Sequence, residues 1–306
     1  MSALILHHYE FSPFAEKVRL AFGLKALDWH AVDVPSQTPK PDLAPLTAGY
    51  VRVPVLQIGA DVFCDTALIL REIERRHPEP TLYPGGQRGL CSALGWWWER
   101  ATFMTAASLT TSIMGDALPV EFLEERRRTM RHDFSKDASL ATLPLNRQRV
   151  TAHMGWLADM LRDGRPFLLG PSVSAADLAC YHTMWFTRQN GGETAEEMLP
   201  FGPLIAWMDR VAALGHGTRR EMSAADALEV ARAAKPEPVR LPPDGDPSDY
   251  RAGEQVVVRT DDTAHDAMSG TLVAADSEEL IIRHENPRVG TVHVHLPRVG
   301  YDVLRA

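Results

Sequence analysis

Hydrophobic periodicity changes twice along this chain, and that limits what it can fold into more than any single motif does. Residues 1–84 carry short apolar runs broken by prolines and polar turns. Residues 87–235 carry long patterns at helical spacing, and residues 250–306 return to short β-type runs. Between the last two textures lies PEPVRLPPDGDPSD at 236–249, whose five prolines read as a stiff, extended linker. With 306 residues, and at ~100–200 per domain, two or three folded bodies are expected. The textures predict an α/β body over 1–84, an all-helical body over 87–235 and a small all-β barrel over 250–306.

Within the first region Leu4-Ile5-Leu6 reads as a buried strand. Ser12-Pro13 opens a helix, since Ser caps and Pro suits the first turn, and Phe14, Val18 and Ala21-Phe22 supply its apolar stripe. Strands follow at 29–34, 53–58 and 62–64, and then a helix over 66–76 that Pro78 and Pro80 stop. The order is β-α-β, a gap, then β-β-α. In the middle region helices are predicted over 88–114, 119–133, 144–163, 175–187, 202–214 and 223–234, with Gly191-Gly192 in a loop. In the last, Val256-Val257-Val258, 270–273, 280–282, 291–296 and 301–304 are short strands at close spacing, as a small SH3-like barrel would have.

Charge and cysteine usage narrow the function classes. The net charge is −8, and 236–306 carries 13 acids against 7 bases, so nucleic-acid binding through phosphates is not expected. No apolar run approaches the ~18–20 residues of a membrane helix, and the first residues do not read as a secretory signal. Cys64, Cys91 and Cys180 are widely spaced with no CxxC pair, which fits neither a disulfide framework nor a zinc site. A reducing cytoplasm is the expected compartment.

Three elements carry chemistry. Tyr9-x-x-Ser12-Pro13-Phe14 places a hydroxyl beside the free N–H groups and positive dipole end of a helix, a setting that stabilises a carboxylate, a phosphate or a thiolate. Taken alone, Ser12 is a helix cap. Arg52-Val53-Pro54-Val55 puts a proline in a strand-like run, which fits if the flanking backbone pairs with something else. Asp65-Thr66 opens a helix and can hold a zwitterionic amino-acid head, the amides taking its carboxylate and Asp65 its ammonium. In isolation it too is ordinary capping.

Together, in this order and spacing, the three elements resemble the thioredoxin-like N-terminal domain of the cytosolic glutathione transferases. Ser12 matches the Ser, Cys or Tyr that activates the glutathione thiol there. Val53-Pro54 matches the family's Val-Pro with its cis proline, and Asp65-Thr66 stands where Glu-Ser or Gln-Ser holds the γ-glutamyl group. Glu79-Pro80-Thr81-Leu82-Tyr83-Pro84 is nearly the family's domain ending. In the helical region Ser172-Val173-Ser174-Ala175-Ala176-Asp177 resembles the family's buried S/T-x-x-D capping box, with Ser174 and Asp177 as its ends, preceded by Phe167-Leu168-Leu169-Gly170. The resemblance covers residues 1–235.

It implies a transferase-type enzyme with glutathione as co-substrate, bound across Ser12, Val53, Pro54, Asp65 and Thr66. The thiolate would attack an electrophilic, apolar small molecule, with Tyr9, Phe14, Trp97 and Met104 as acceptor-pocket candidates, in a cytoplasmic homodimer without membrane or nucleic-acid partners. Two alternatives stay open: a non-catalytic scaffold that binds a protein partner, and a glutathione-dependent isomerase or reductive-cleavage enzyme. Tyr9 is a second candidate for the thiol contact. Trp96-Trp97-Trp98 cannot all share one buried stripe, because helical neighbours point ~100° apart. His293 and His295 share one face of a strand, near His284, and read as a half-exposed polar face rather than a metal site.

Overall fold

The computed structural model describes residues 2–240, 248–262, 264 and 266–306. In chain order the elements are β1 (Ile5–His8), α1 (Pro13–Leu24), β2 (Asp28–Asp33), α2 (Ala44–Thr47), β3 (Val55–Ile58), β4 (Asp61–Cys64) and α3 (Thr66–Arg76). The helices α4 (Arg88–Met114), α5 (Val120–Met130), α6 (Lys136–Met160), α7 (Ala175–Met198) and α8 (Ile205–Ala212) follow. Then come β5 (Thr218–Glu221), α9 (Ala224–Ala233), β6 (Gln255–Thr260), β7 (Ala267–Ala275), β8 (Glu279–Asn286), β9 (Gly290–Pro297) and β10 (Tyr301–Arg305). Two compact units emerge: residues 1–18, 27–72 and 217–306 form one, residues 19–26 and 73–216 the other.

The first unit is built on one ten-stranded sheet in the order β10-β6-β7-β8-β9-β4-β3-β1-β2-β5. Its β-α-β and β-β-α elements form the thioredoxin-like half: β1 runs parallel to β2, while β3 is antiparallel to both β1 and β4. All four residues of β1, β3 and β4 are buried, as apolar runs too short for helices allow. The C-terminal strands form the β-rich region marked in the sequence, a meander whose last strand, β10, returns beside β6.

That region does not stand apart as a separate barrel domain. β9 pairs in parallel with β4, Asp61 to His293 and Phe63 to His295, so the two sheets are continuous. One apolar core contains Leu46, Tyr50, Val55, Val62 and Cys64 together with Val256, Val258, Leu272, Ile282, Val294 and Tyr301. A break in periodicity at 236 reports a change in local structure, whereas a pairing of strands more than 200 residues apart leaves no local signal. Nor does the helical body extend to 235, because β5 joins β2 and Ala227 of α9 packs with Ile5 and Val32. The centre of the expected linker, residues 241–247, lies outside the described residues.

The second unit is helical. α4 runs over the predicted 88–114, but α6 begins eight residues before the predicted 144 and carries Pro144 inside. Its start is set by Ser135, whose Oγ accepts the Ala138 N–H at 3.4 Å. α7 passes through the expected Gly191-Gly192 loop: only Gly192 leaves helical geometry, at φ 52°. The Ser174–Asp177 capping box is present. Fully buried Asp177 accepts from Ser174 N at 2.9 Å, Ser174 Oγ at 2.7 Å, Leu168 N at 2.8 Å and Trp207 Nε1 at 2.9 Å. Burial nevertheless outweighs these bonds and pushes its carboxyl up from the usual range. Cys64, Cys91 and Cys180 are buried and outside any disulfide, and among the described residues no helix is long and apolar enough to cross a membrane.

Candidate functional site

Strand register places the three motifs at one end of the sheet. His7 lies opposite Val55 and Val55 opposite Cys64, so the loop leaving β1, the lead-in to β3 and the exit from β4 share one edge. Ser12 lies on the first, Val53-Pro54 on the second and Asp65-Thr66 on the third. The Val53-Pro54 bond is cis. From α1, the Lys17 ammonium donates to Thr66 Oγ1 at 3.0 Å and ties the two helix starts together.

Ser12 is 2% exposed and caps α1, its Oγ accepting the Ala15 N–H at 3.2 Å. In that role the oxygen is the acceptor; the hydroxyl proton is what an anion would take. Tyr9 is half-buried, its ring tilted 43° against the exposed Phe11 at 4.6 Å between centres, with the Lys40 ammonium 5.8 Å from its ring centre. Phe14 is half-buried on the first turn of α1.

Asp65 adopts a left-handed backbone at φ 74°, which an aspartate tolerates better than most side chains. Its Oδ1 accepts the Ala67 N–H at 2.8 Å and so caps α3, and its carbonyl accepts from Ile69 N at 3.0 Å. Its Oδ2 accepts from the Tyr301 hydroxyl at 3.2 Å. Tyr50 lies close by in the same core, and burial pushes both phenols up from their ordinary range.

The lead-in to β3 is gripped by the C-terminal strands. Arg52 donates through Nε to Asp266 Oδ2 at 2.6 Å, and through Nη1 and Nη2 to the two oxygens of Asp262 at 2.6 and 2.9 Å. Burial opposes charge at Asp262, but the Arg52 hydrogen bond prevails and holds its carboxyl down to about 2. Gly49, at φ 111°, lies so near the Ala267 carbonyl that a Cβ would sit 2.7 Å from its oxygen, and Ser269 N donates to Ala48 O at 3.2 Å. Lys40 donates to Val51 O at 2.8 Å.

Trp97 and Met104 belong to the second unit. Trp97 packs on Trp156 at 5.1 Å and His153 at 5.3 Å between ring centres, Trp98 is fully buried, and Arg100 lies over Trp96 at 4.0 Å. The three tryptophans thus face three ways, as the helical geometry requires, and Met104 is half-buried. The sequence did not single out Lys17, Lys40 or Tyr301. Each gains its place from a partner far along the chain, and no spacing rule reads that.

The expected half-exposed polar face on β9 is a correction. His295 is buried, its Nε2 2.9 Å from Asp61 Oδ1 and its Nδ1 2.7 Å from Glu279 Oε1, with Phe63 stacked on it at 4.3 Å. It is buried because β9 is an interior strand of the joined sheet rather than the face of a small free-standing one.

Comparison with known proteins bears on the same residues. The family description "Glutathione S-transferase, N-terminal domain" matches residues 6–81, and "Glutathione S-transferase, C-terminal domain" matches residues 124–210. A GST-like protein from Pseudomonas syringae is 37% identical, with 100% of both chains covered and a TM-score of 0.79. FtsZ-localized protein A from Caulobacter vibrioides is 27% identical over 179 residues, 57% of this chain and 72% of that protein. A glutathione S-transferase of Ceriporiopsis subvermispora, solved in complex with glutathione, shares the fold: TM-score 0.56, 16% identity, 69% of this chain and 96% of that one.

Proposed function

Because the chain belongs to the glutathione S-transferase superfamily, we propose that its first unit binds glutathione and activates the thiol for attack on an apolar electrophile. The observation that carries this reading is the convergence of Ser12, cis Val53-Pro54 and Asp65-Thr66 on one edge of the sheet. Each answers to one part of the tripeptide. Asp65 takes the γ-glutamyl ammonium, and the amides opening α3 take the adjoining carboxylate. The Val53 backbone pairs with the cysteinyl residue, as a strand lead-in can. Ser12, at the positive end of α1, donates to the sulfur and favours the thiolate. The cytoplasmic homodimer expected from the family belongs to this proposal.

A second reading, a scaffold that binds a protein partner without turnover, has its own support. Ser12 is 2% exposed and engaged as a helix cap, and the similarity to FtsZ-localized protein A spans 179 residues. Retention on immobilised glutathione, combined with conjugation of a nitroaromatic electrophile, separates the two. Retention with turnover supports the enzyme. Absence of both, with co-sedimentation on FtsZ polymer, supports the scaffold.

A further inference from the structure

The lead-in to β3 is anchored up to Val53 and again just beyond it. Tyr50 lies in the core that also holds Val256, Val258 and Leu272, its N–H donates to Thr47 O at 3.0 Å, and its carbonyl accepts from Thr47 Oγ1 at 2.8 Å. Val51 O accepts from Lys40. From Val55 onward the chain is paired on both sides, Val55 lying opposite His7 of β1 and Cys64 of β4. Between these stretches Pro54 has no N–H to give. Among the described residues the N–H and carbonyl of Val53 make no hydrogen bond within the chain, and Val53 is partly exposed. Backbone groups usually find partners, and an unpaired N–H and carbonyl prolonging a strand are what an extended peptide pairs with.

Arg52 sets the direction of that step. Besides the bonds to Asp266 and to both oxygens of Asp262, its Nη2 donates to Thr260 Oγ1 at 3.3 Å. The acids are themselves fixed. Asp262 Oδ1 accepts from Thr260 Oγ1 at 3.0 Å and from Ala264 N at 3.1 Å, and Asp266 N donates to Thr260 Oγ1 at 3.0 Å. The side chains of Arg52 and Asp262 are 35% and 34% exposed, and ion pairs that open to solvent contribute little to stability. A two-pronged guanidinium–carboxylate pair fixes orientation as well as charge, however, which a lysine in the same place would not.

We propose that Arg52 is a positioning residue of the cysteinyl subsite: Asp262 and Asp266 hold it so that the unpaired Val53 N–H and carbonyl next to it stay set for an extended peptide ligand. This rests on the glutathione reading given above. It adds to that reading two acids outside the segments that match the family descriptions. The lead-in has no ladder partner of its own at Val53, so without the clamp it would have to be ordered when the ligand binds. Held beforehand, it spares the ligand that loss of freedom.

The test is calorimetric titration of the full chain with glutathione and with glutathione methylated on its cysteinyl amide nitrogen, which cannot donate to the Val53 carbonyl. The wild type is expected to bind the methylated peptide about tenfold more weakly, the size of one backbone hydrogen bond. Arg52→Gln is expected to weaken glutathione by about tenfold and to leave the methylated peptide within about twofold. Asp262→Asn keeps the shape of the acid and removes its charge, and it should repeat that pattern. The double variant should bind no more weakly than Arg52→Gln alone, because the two changes break one interaction. Equal loss for both ligands would mark a structural role, unchanged glutathione affinity would mark no role, and losses that add in the double variant would show the two residues acting separately; each overturns the proposal alone. A wild-type chain that binds neither ligand overturns the glutathione reading itself. Equal wild-type affinity for the two ligands overturns the pairing at Val53, and the proposal with it, while leaving glutathione binding intact.

Discussion

His295 on β9 lies between two carboxylates, with Nε2 2.9 Å from Asp61 of β4 and Nδ1 2.7 Å from Glu279 of β8. Both ring nitrogens face acceptors, so both must donate, and the imidazole is held as the cation. Burial works against that charge, but the bonds to Asp61 and Glu279 prevail and raise its pKa above 6.5. A raised folded value means that the stabilisation is complete below the unfolded value and fades as pH rises through the folded one. His293, 4.0 Å from Asp61, shifts the opposite way because burial dominates there. We predict that the unfolding midpoint falls as pH is raised from near 6.5 into the alkaline range. His295→Gln should flatten that limb, and a wild-type midpoint that rises over the same range would contradict the assignment.

On the acid side His7 sets a different limit. Its Nε2 donates to Gln57 Oε1 at 2.8 Å, and Gln57 is itself anchored by donating to Ala227 O at 2.8 Å. Burial lowers the His7 pKa to about 4, the Gln57 bond only partly opposing it. A depressed folded value gives stability that is present above 6.5 and lost as pH falls toward 4, about 3 kcal/mol in all. His7→Gln should remove much of the pH dependence of urea denaturation between pH 6.5 and 4.

Asp177→Ala should be severe. Besides breaking the capping box it strands the Leu168 and Ser174 amides and the Trp207 indole N–H in a dry interior. We expect a loss of about 3 kcal/mol or more, beyond the ~1 kcal/mol of an exposed cap. Urea titration followed by tryptophan fluorescence measures it, and a variant within about 1 kcal/mol of wild type would reduce the box to ordinary capping.

Truncation after residue 235 should yield an insoluble or molten product. It would expose the β4 edge and remove half of the core around Val55, Val62 and Tyr50. The readout is soluble yield and near-ultraviolet dichroism; a soluble fragment with native tertiary signal would show the strands to be dispensable.

Ser12→Ala tests the chemistry. A free thiol of pKa ~8.5 is about 3% thiolate at pH 7, and lowering that pKa by ~2 units requires about 2.7 kcal/mol. One hydroxyl donor to an anion supplies ~1.5–3 kcal/mol and the helix end up to about 1. The variant should keep glutathione affinity within a few-fold, lose about 1 kcal/mol of stability with its cap, and slow conjugation at neutral pH by roughly 10–100-fold. The pH–rate profile should move to higher pH, with Tyr9→Phe run beside it. A profile that moves only for Tyr9→Phe assigns the thiol contact to the tyrosine.

The first half of the sheet was legible because its signals are local. Ser12-Pro13 opens α1, Val53-Pro54 precedes β3 and Asp65 caps α3, each within a few residues of the element it marks. The capping box at Ser174 was legible for the same reason. Three features were not. His295 reads as half-exposed in a strand taken alone, and only the β4–β9 pairing buries it. Gly191-Gly192 reads as a loop, yet α7 continues with one irregular residue. Tyr301 gives no sign of its bond to Asp65, since no periodicity reports a contact between residues so far apart in sequence.

The pairing of residues 61–63 with residues 293–295 also sets an order of events during synthesis. The N-terminal strands leave the ribosome first but lack a neighbour on β4 until residues 293–295 are translated, whereas the helical segment, 73–216, lies wholly between them. For most of that interval the nascent chain carries an unpaired, apolar strand edge, the kind of surface that other chains and holdase chaperones capture. The cost of joining strands about 230 residues apart into one sheet is therefore a long vulnerable period during synthesis, and a slow, long-range closure.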